Sequence, residues 1–432
     1  DYATITGIMT KKGESSMKTF LPANILLPKT CDPTRWSVIA CDQYTSDRSY
    51  WKKTETLCAD VPSTLHMIFP EVYLNDGDAE TRTEAINRTM HKYLDSDVFY
   101  EQTDAFVYVE RTLANGKIRR GVVGMFDMDD YDFTPGSQTR IRATEGTVRE
   151  RIPPRVAIRK DAPLELPHIM ILIDDDLRSV IEPLSRATEA EKPLYDFDLM
   201  FGSGHLKGKR VPPEAAQIML QALDRLADPE QFEKKYRVSG KAPLVFAVGD
   251  GNHSLATAKV CREQFGKSRY ALAELVNLHD DSLSFEPIHR VIFNVRPDDL
   301  TDALRSFVPS AHPATSPCPK PDAHRFSVVT KNGTGAWDLD KPIRNLPVGS
   351  VQDFLDFFVK ETGATVDYIH DEEAVFSLVK NTPDTVGILL PAMQKNELFR
   401  TVILDGALPR KTFSMGHACD KRFYLECRKT DK

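Results

Sequence analysis

The segment 243–259 constrains this 432-residue chain more than any other, because a short apolar run there meets a glycine-rich turn. The apolar residues 243–248 predict a strand, and the residues after Gly249-Asp250-Gly251 predict a helix. Such a turn presents the amino terminus of the helix, with its N–H groups and the positive end of its dipole, to whatever lies above it. The segment therefore predicts an anion site, and most obviously a phosphate site.

A turn of this kind also has a purely structural explanation. Asp250 or Asn252 could cap the helix through its side chain, and no ligand would then be needed. The phosphate interpretation adds that the carboxylate of Asp250 and the imidazole of His253 would lie beside the bound anion. The residues alone leave both explanations open.

Composition limits the classes of protein to which the chain can belong. The formal net charge is −7, which disfavours the broad basic surface of a nucleic-acid-binding protein. No apolar run approaches the roughly 18 residues of a membrane helix. The seven cysteines include no Cys-x-x-Cys pair, which favours reduced thiols. We expect a cytoplasmic protein that acts on a small molecule, with no nucleic-acid or membrane partner.

Chain length and local composition predict how the molecule is divided. A chain of 432 residues is long enough for two or three domains. Residues 1–16 are polar and predict an extension or an artificial remnant before a natural start at Met17. Residues 17–300 are expected to form a catalytic core with insertions, and the proline-rich residues 301–330 a linker or loop. Residues 331–432 would form a C-terminal α/β subdomain that returns to the site.

Hydrophobic periodicity and turn signals predict individual elements. Asn115-Gly116 indicates a hairpin, and the C-terminal part suggests a βαβ-like arrangement. Because strands alternate with helices, the predicted fold class is α+β, that is, mixed α/β. The predicted strands are 38–40, 105–110, 117–124, 166–174, 243–248, 270–280 and 386–390, and the predicted helices are 47–57, 78–97, 213–238, 351–362 and 373–380.

A second dense cluster of charge lies at residues 142–155, which contain four arginines and two glutamates. Guanidinium groups suit phosphate oxygens, and a glutamate among them, such as Glu145, could serve as a general base. The simpler explanation is a solvated helix face with ion pairs four residues apart. Gly146 and the two prolines that follow argue against a long regular helix.

Several further polar residues stand at predicted strand ends or in loops. Strand ends often line a pocket, whereas a structural, hydrogen-bonded side chain is the simpler alternative for each residue alone. Gly-x-Ser-x-Gly, the P-loop pattern and the Rossmann Gly-x-Gly-x-x-Gly pattern are all absent. The candidates for contacting the substrate, or for supporting residues that do, are Asp42, His205, Asp280, His289, Arg290, Lys411 and His417.

The turn Asp250-Gly251-Asn252-His253, together with Pro287-Ile-His289-Arg290 downstream, resembles the bacterial and archaeal family described as domain of unknown function 1015. The resemblance runs from about Met17 to the C-terminus. Members of that family usually have Asp-Gly-His-His-Arg in the turn. In this chain Asn252 takes the place of the first histidine, and Ser254 takes the place of the arginine.

The same turn resembles the phosphate-binding element of the ParB/sulfiredoxin-like superfamily, which includes archaeal free-serine kinases. The resemblance implies a ParB/sulfiredoxin-like core with a second, smaller α/β lobe. Those kinases use a glutamate as base in an upstream His-Glu motif, whose counterpart here would be Glu145, preceded by Thr144. The segment from Lys411 to His417 loosely resembles their Lys-Thr-Thr-Arg-His segment.

The resemblance implies a phosphotransferase that uses ATP, ADP or pyrophosphate, with Mg²⁺, and acts on a small hydroxylated metabolite. Free L-serine, giving O-phosphoserine, is the first acceptor to consider. Alternatives are a phosphatase acting on phosphoserine and a nucleotide-sensing module without turnover. The implied roles are catalysis for Glu145, Asp250 and His253, phosphate binding for Gly251, Asn252, His253, Ser254, Arg142 and Arg155, and metal binding for Asp250.

Overall fold

The computed structural model of this chain describes residues 18–147 and 152–430, which divide into two compact units. The first unit contains the chain up to Ala143, the stretch from Thr147 to Leu283, and the chain from His417 onward. The second unit contains Thr144–Gly146 and Ser284–Gly416. The predicted extension at residues 1–16 lies outside the described residues.

Strands and helices alternate through both units, which confirms the predicted mixed α/β class. The strands are β1 (Phe20–Leu21), β2 (Ala23–Pro28), β3 (Val38–Ile39), β4 (Phe99–Ala105), β5 (Val107–Thr112), β6 (Ile118–Asp127), β7 (Tyr131–Asp132), β8 (Ile141–Ala143), β9 (Leu164–Glu165), β10 (Met170–Ile173), β11 (Pro193–Asp198), β12 (His205–Arg210), β13 (Phe246–Asp250), β14 (Tyr270–Asn277), β15 (Phe285–Pro287), β16 (His289–Phe293), β17 (Ala311–Pro313), β18 (His324–Thr330), β19 (Gly333–Leu339), β20 (Thr365–Ile369), β21 (Thr385–Leu389), β22 (Phe413–Met415), β23 (Phe423–Tyr424) and β24 (Arg428–Lys429). The α-helices are α1 (Pro33–Trp36), α2 (Arg48–Cys58), α3 (Ala79–Leu94), α4 (Ile152–Arg159), α5 (Pro183–Ala187), α6 (Pro213–Leu226), α7 (Pro229–Tyr236), α8 (Asn252–Phe265), α9 (Pro297–Phe307), α10 (Pro347–Thr362), α11 (Glu372–Asn381) and α12 (Lys395–Asp405).

The first unit is built on one large mixed sheet with the order β11-β12-β5-β6-β14-β10-β13-β8-β7, and β1 pairs with β6. Strand β13 runs antiparallel to β10 and parallel to β8. The carboxyl end of β13 therefore lies beside the amino end of β10, where Asp250 is opposite Met170. This register places the glycine-rich turn against the residues that precede β10.

Both faces of this sheet are buried. Val107 and Val109 of β5 pack with Trp36 and Trp51 in one hydrophobic core, and Tyr108 packs in a second core. Successive side chains of a strand point to opposite faces, so these two cores lie on opposite sides of the sheet. Helices α1 to α3 supply residues to the first core, and α5, α6 and α8 supply residues to the second.

The second unit contains a six-stranded sheet with the order β17-β19-β18-β21-β16-β20. All of its directly paired strands are antiparallel. Strands β20 and β21 both run antiparallel to β16, which lies between them, so they are parallel to each other and α11 connects them, in agreement with the βαβ-like arrangement expected from the sequence. Strands β18 and β19 are joined by the short Lys331-Asn332 turn, which folds them into a hairpin. Val291, Val329 and Val375 pack together over this sheet.

The predicted elements are found within a few residues of their expected places, with two differences. The helix predicted at 213–238 is two helices, because Asp228 caps α7 and Pro229 cannot continue a helical hydrogen-bond ladder. Residues 301–330, expected to form a linker or loop, hold the end of α9, the strand β17, a loop at residues 314–323 and the strand β18. Pro313 is tolerated there because β17 is an edge strand.

Two composition-based expectations can be compared with the described residues. The seven cysteines all lie within the described ranges and are free thiols. Within the same ranges, no helix has the length and apolar character of a membrane span.

Candidate active site

The glycine-rich turn joins β13 to α8 in the first unit, as the sequence predicts. Gly251 has a φ of 80°, and a Cβ placed on it would lie 3.1 Å from Cα and 3.0 Å from Cγ1 of Ile169. Glycine is required here for two reasons: any other residue would be strained at this positive φ, and its side chain would clash with Ile169. The first turn of α8 is thereby held against the residues just before β10.

His168, which directly precedes Ile169, is the centre of the polar contacts around this turn. Its Nε2 lies 3.1 Å from Oγ of Ser254, and its Nδ1 lies 2.7 Å from the hydroxyl of Tyr424. The His168 side chain is only 7% exposed, so these two contacts fix the orientation of its ring. Both ring nitrogens of His168 are therefore engaged.

Tyr424 extends this set of contacts to Cys41. Its hydroxyl donates to Sγ of Cys41 at 3.1 Å and accepts from the Cys41 N–H at 3.3 Å. Burial, together with a smaller effect of the adjacent Asp42, raises the pKa of the Cys41 thiol to about 12. Burial also holds the pKa of Tyr424 well above its ordinary value. Both groups therefore keep their protons at neutral pH, and Cys41 is not a thiolate nucleophile.

Asp42 supplies a carboxylate beside His168. Its Oδ2 lies 3.9 Å from His168 Nε2, and its Oδ1 accepts from the side-chain amide of Gln43 at 3.0 Å. Burial opposes the charged form of Asp42, but His168, Gln43 and Lys421 together hold its pKa below the ordinary value. The carboxylate is thus ionised at neutral pH, in position to accept a proton.

Lys421 brings a positive charge to the turn. Its Nζ lies 3.2 Å from Oδ2 of Asp250, and the two side chains are 14% and 19% exposed. The backbone around it is held in place because β23, which begins two residues later, pairs with β3 through Phe423 and Ile39. The same pairing positions the loop after β3, which carries Asp42.

An ion pair between Glu71 and Arg155 lies next to this group. Their side chains are 18% and 19% exposed. Burial raises the pKa of Glu71, against the opposing effect of Arg155. Both residues line a cavity of about 140 Å³ that is also lined by His168 and Ser254.

The structure thus brings together several of the residues that the sequence singled out. Asn252 and His253 lie in the first turn of α8, where the Asn252 amide donates to the carbonyl of Val248 at 3.3 Å. The predicted site residues found around the turn in the first unit are Asp42, Arg155, Asp250, Gly251, Asn252, His253 and Ser254.

Arg142 differs from this prediction. Its guanidinium donates to the carbonyls of Thr139 at 2.8 Å and Ala242 at 2.7 Å. Thr139 precedes β8, and Ala242 precedes β13. The side chain therefore points to the amino ends of these strands, whereas Asp250 stands at the carboxyl end of β13. Burial lowers the Arg142 pKa to about 10. These contacts make Arg142 a residue that holds two loops together.

His205 and Asp280 also lie away from the turn, although both belong to the first unit. His205 stands on β12, five strands from β13, which corresponds to roughly 24 Å at about 4.8 Å per strand. Its ring bonds to Asp196 at 2.7 Å and Asp198 at 2.8 Å. Asp280 is buried and accepts from the N–H groups of Arg120 and Ser282, as a turn-forming aspartate does.

The remaining predicted residues fall mostly in the second unit. Glu145 forms an isolated parallel bridge with Leu408. His289 is buried and accepts from the N–H of Leu390 at 3.1 Å, and burial lowers its pKa. Arg290 is fully buried and donates to the carbonyl of Lys411 at 3.0 Å. These contacts stabilise the second unit.

His417 belongs to the first unit and is exposed. Its backbone N–H donates to Asp420 Oδ2 at 3.3 Å, at the start of the short 3₁₀ helix Ala418–Asp420 that precedes Lys421. His417 thus opens the segment that carries Lys421 to the turn.

Sequence reasoning missed five residues of this site. His168 had a usable signal, because it immediately precedes a buried strand that could have been paired with β13. Lys421 and Tyr424 carry no local signal, since only the pairing of β23 with β3 places them. The missed residues are Cys41, Glu71, His168, Lys421 and Tyr424.

The predicted Mg²⁺ site at Asp250 is not supported by the described residues. Within them, no three or more histidine, cysteine, aspartate or glutamate side chains form a group that could hold a metal. The Asp250 carboxylate is instead paired with Lys421. These residues do not form a protein cage for a divalent cation.

Comparisons with known proteins give a family and several distant structural matches. The family described as "Protein of unknown function (DUF1015)" matches residues 23–358. Comparison with curated proteins gives no match.

Solved structures with a distant similarity to this chain include free serine kinases. A mutant of free serine kinase in complex with AMP is 10% identical, with a TM-score of 0.38, over 72% of this chain and 92% of that one. A conserved hypothetical protein from Pyrococcus furiosus is 9% identical, with a TM-score of 0.35, over 71% and 94%. C-terminally truncated SbnI from Staphylococcus aureus is 9% identical, with a TM-score of 0.35, over 68% and 82%.

Proposed function

The chain belongs to the DUF1015 family, and we propose that it is a phosphotransferase that moves a phosphoryl group to the hydroxyl of a small metabolite. The observation that carries this proposal is the convergence of a helix amino terminus, an ionised carboxylate and a lysine in one place. These are the start of α8 at Gly251, Asp42 and Lys421. Phosphoryl transfer depends mainly on positioning and on stabilising charge, so a sparse set of groups is sufficient.

In this proposal the donor phosphates bind at the first turn of α8. The positive end of the helix dipole and the backbone N–H groups of the turn suit phosphate oxygens. Lys421 contacts the same turn through its ion pair with Asp250. Its ammonium group adds a full positive charge and can exchange the Asp250 carboxylate for a phosphate oxygen as its partner. Asp250 then keeps the lysine in place before the donor arrives.

Asp42 is the proposed general base. As the acceptor oxygen forms its bond to phosphorus, the bond from phosphorus to the donor oxygen breaks, and the hydroxyl proton passes to a carboxylate oxygen of Asp42. His168, 3.9 Å from that carboxylate and bonded to Ser254, orients the surrounding groups. The motif resemblance implied Glu145 as the base instead, and the variants described below compare the two residues.

The donor class comes from the motif resemblance, which implies ATP, ADP or pyrophosphate, and free L-serine is the first acceptor to assay. The test measures phosphoryl transfer by the intact protein from each donor to L-serine and to other small hydroxylated compounds, with Mg²⁺ in the buffer. Asp42→Asn is expected to lower kcat by about 10²- to 10⁴-fold, because one general base is lost. Nucleotide affinity should stay within about threefold, since the carboxamide has nearly the same shape.

Two comparison variants make this test specific. Asp198→Asn removes a carboxylate at the far edge of the sheet and should leave transfer unchanged. Glu145→Gln measures the role implied by the motif resemblance. If Asp42→Asn keeps full transfer while Glu145→Gln loses it, the base is Glu145 and the present assignment is wrong.

The same assay separates the two alternative functions. Free phosphate released from phosphoserine without any nucleotide would identify a phosphatase. Nucleotide binding without turnover of any hydroxylated acceptor would identify a sensing module.

A further inference from the structure

The cavity beside His168 lies entirely within the first unit and has a volume of about 140 Å³. Most of its lining is apolar, including Met67, Phe69, Leu74, Met90, Leu164 and Leu272. Its polar lining includes His168 and Ser254, whose side chains bond to each other at 3.1 Å. The cavity wall is thus mostly apolar, and it is polar at His168 and Ser254, next to the proposed transfer site.

The volume sets the size of a ligand. An engineered apolar cavity of about 150 Å³ stays free of water and takes up benzene. The cavity in this protein is nearly as large, so it accommodates an apolar group of about that size. A group of this kind gains roughly fourfold in affinity, or about 0.8 kcal/mol, for each CH₂ that leaves water.

The charges around the cavity select against a zwitterion. Two ion pairs line the cavity, Glu71 with Arg155 and Glu165 with Arg159, so each of these carboxylates is already neutralised by a guanidinium. An ammonium or carboxylate placed among the apolar side chains would lose its hydration without gaining a matched partner. Free L-serine carries both of these charges, whereas a simple alcohol carries neither.

We propose that the acceptor is an uncharged alcohol with a compact apolar body of about the size of benzene. The inference rests on the proposed function for the identity of the reacting group, and on the cavity for the rest of the molecule. The hydroxyl lies at the polar end beside His168, where the Asp42 carboxylate can take its proton. The carbon body fills the apolar part between α3 and α4, to which Met90 and Ile158 belong.

Calorimetric titration with benzyl alcohol, without nucleotide, tests the cavity separately from catalysis. The wild-type protein should bind benzyl alcohol at least tenfold more tightly than L-serine. Ala162→Leu, which places a larger side chain on the cavity wall, should weaken that binding at least tenfold. Ile158→Trp is a second filling variant in case the first does not fold. Ala187→Leu, the same change on the exposed surface of α5, should bind as the wild type does.

The outcomes distinguish this inference from the proposed function. Benzyl alcohol that binds no more tightly than serine, or that binds equally well to folded Ala162→Leu and Ala187→Leu, would overturn the inference. If the protein binds benzyl alcohol but transfers no phosphoryl group, the cavity is supported as the binding site of an apolar alcohol. The proposed phosphotransferase function, and with it the role of that alcohol as acceptor, is then contradicted. Phosphorylation of serine with no response to cavity filling supports the function and overturns the acceptor class.

Discussion

Arg422 shows most clearly how single residues hold the candidate site together. Its guanidinium forms ion pairs with Glu274 and Glu426 at 2.8 Å each, and all three side chains are at most 5% exposed. A further bond at 3.2 Å reaches the carbonyl of Pro167, which directly precedes His168. Through these contacts, the Arg422 side chain connects β14, the C-terminal segment and the backbone that leads to His168.

Replacing Arg422 by Met should lower the free energy of unfolding by about 3–5 kcal/mol, because two buried carboxylates lose the cation closest to them, and Glu274 keeps a longer contact of 3.9 Å with Arg119. Arg88→Met is the matched control. Arg88 forms a 3.5 Å pair with Glu84 on the exposed surface of α3, and its loss should cost at most about 0.5 kcal/mol. Urea unfolding of both variants gives the comparison. Equal losses would show that the Arg422 network contributes no more than a surface pair.

At this scale the sequence predicted part of the site. Asp42, Asp250 and Ser254 stood out because each follows a predicted strand or turn. Arg142 stood out because it belongs to the charge cluster at residues 142–155, but a buried guanidinium can bond to carbonyls as readily as to phosphate, and residue type does not distinguish the two. His168 was missed because its two partners, Ser254 and Tyr424, lie 86 and 256 residues away in the chain.

The element that matters most is the β13–turn–α8 unit. Gly251 and Gly266 flank α8, and both have a positive φ, of 80° and 61°. Only Gly251 also faces a close neighbour, since nothing lies within 4 Å of a Cβ placed on Gly266. The turn therefore needs glycine for its backbone angle and for its approach to Ile169, whereas the end of the helix needs it for the angle alone.

This pair of glycines gives an internally controlled prediction. Gly266→Ala should cost about 1–2 kcal/mol of stability, the usual penalty of a left-handed conformation. Gly251→Ala should cost more than Gly266→Ala, because the methyl group also meets Ile169. Thermal unfolding of the two variants gives the difference, and equal costs would mean that the turn does not press on Ile169.

Elements were predictable wherever the signal was local. The sequence alone predicted β5 and β6, from their alternating pattern around Asn115-Gly116, and β13, from its apolar run. It did not predict the antiparallel pairing of the second sheet, because periodicity identifies a strand but not the strand with which it pairs. The break at Pro229 could have been predicted from that residue alone.

On the scale of the whole molecule, the chain divides into two compact units. The second unit begins at Ser284, ends at Gly416 and includes Thr144–Gly146, whereas the sequence suggested a boundary near residue 300 and a linker or loop after it. The proline-rich stretch there holds an edge strand and a loop, both of which tolerate proline. The final segment, from His417, returns to the first unit with Lys421 and Tyr424.

Calorimetric titration of the intact protein with ATP, ADP and pyrophosphate tests the central claim, that the turn after β13 binds donor phosphates. We expect at least one donor to bind, and Lys421→Met to weaken its binding tenfold or more, since a charge-assisted hydrogen bond contributes about 1.5–3 kcal/mol. Lys92→Met makes the same change of charge on exposed α3 and should bind as the wild type does. Failure of all three donors to bind, or equal affinities for Lys421→Met and Lys92→Met, would contradict the assignment of this turn as the phosphate site.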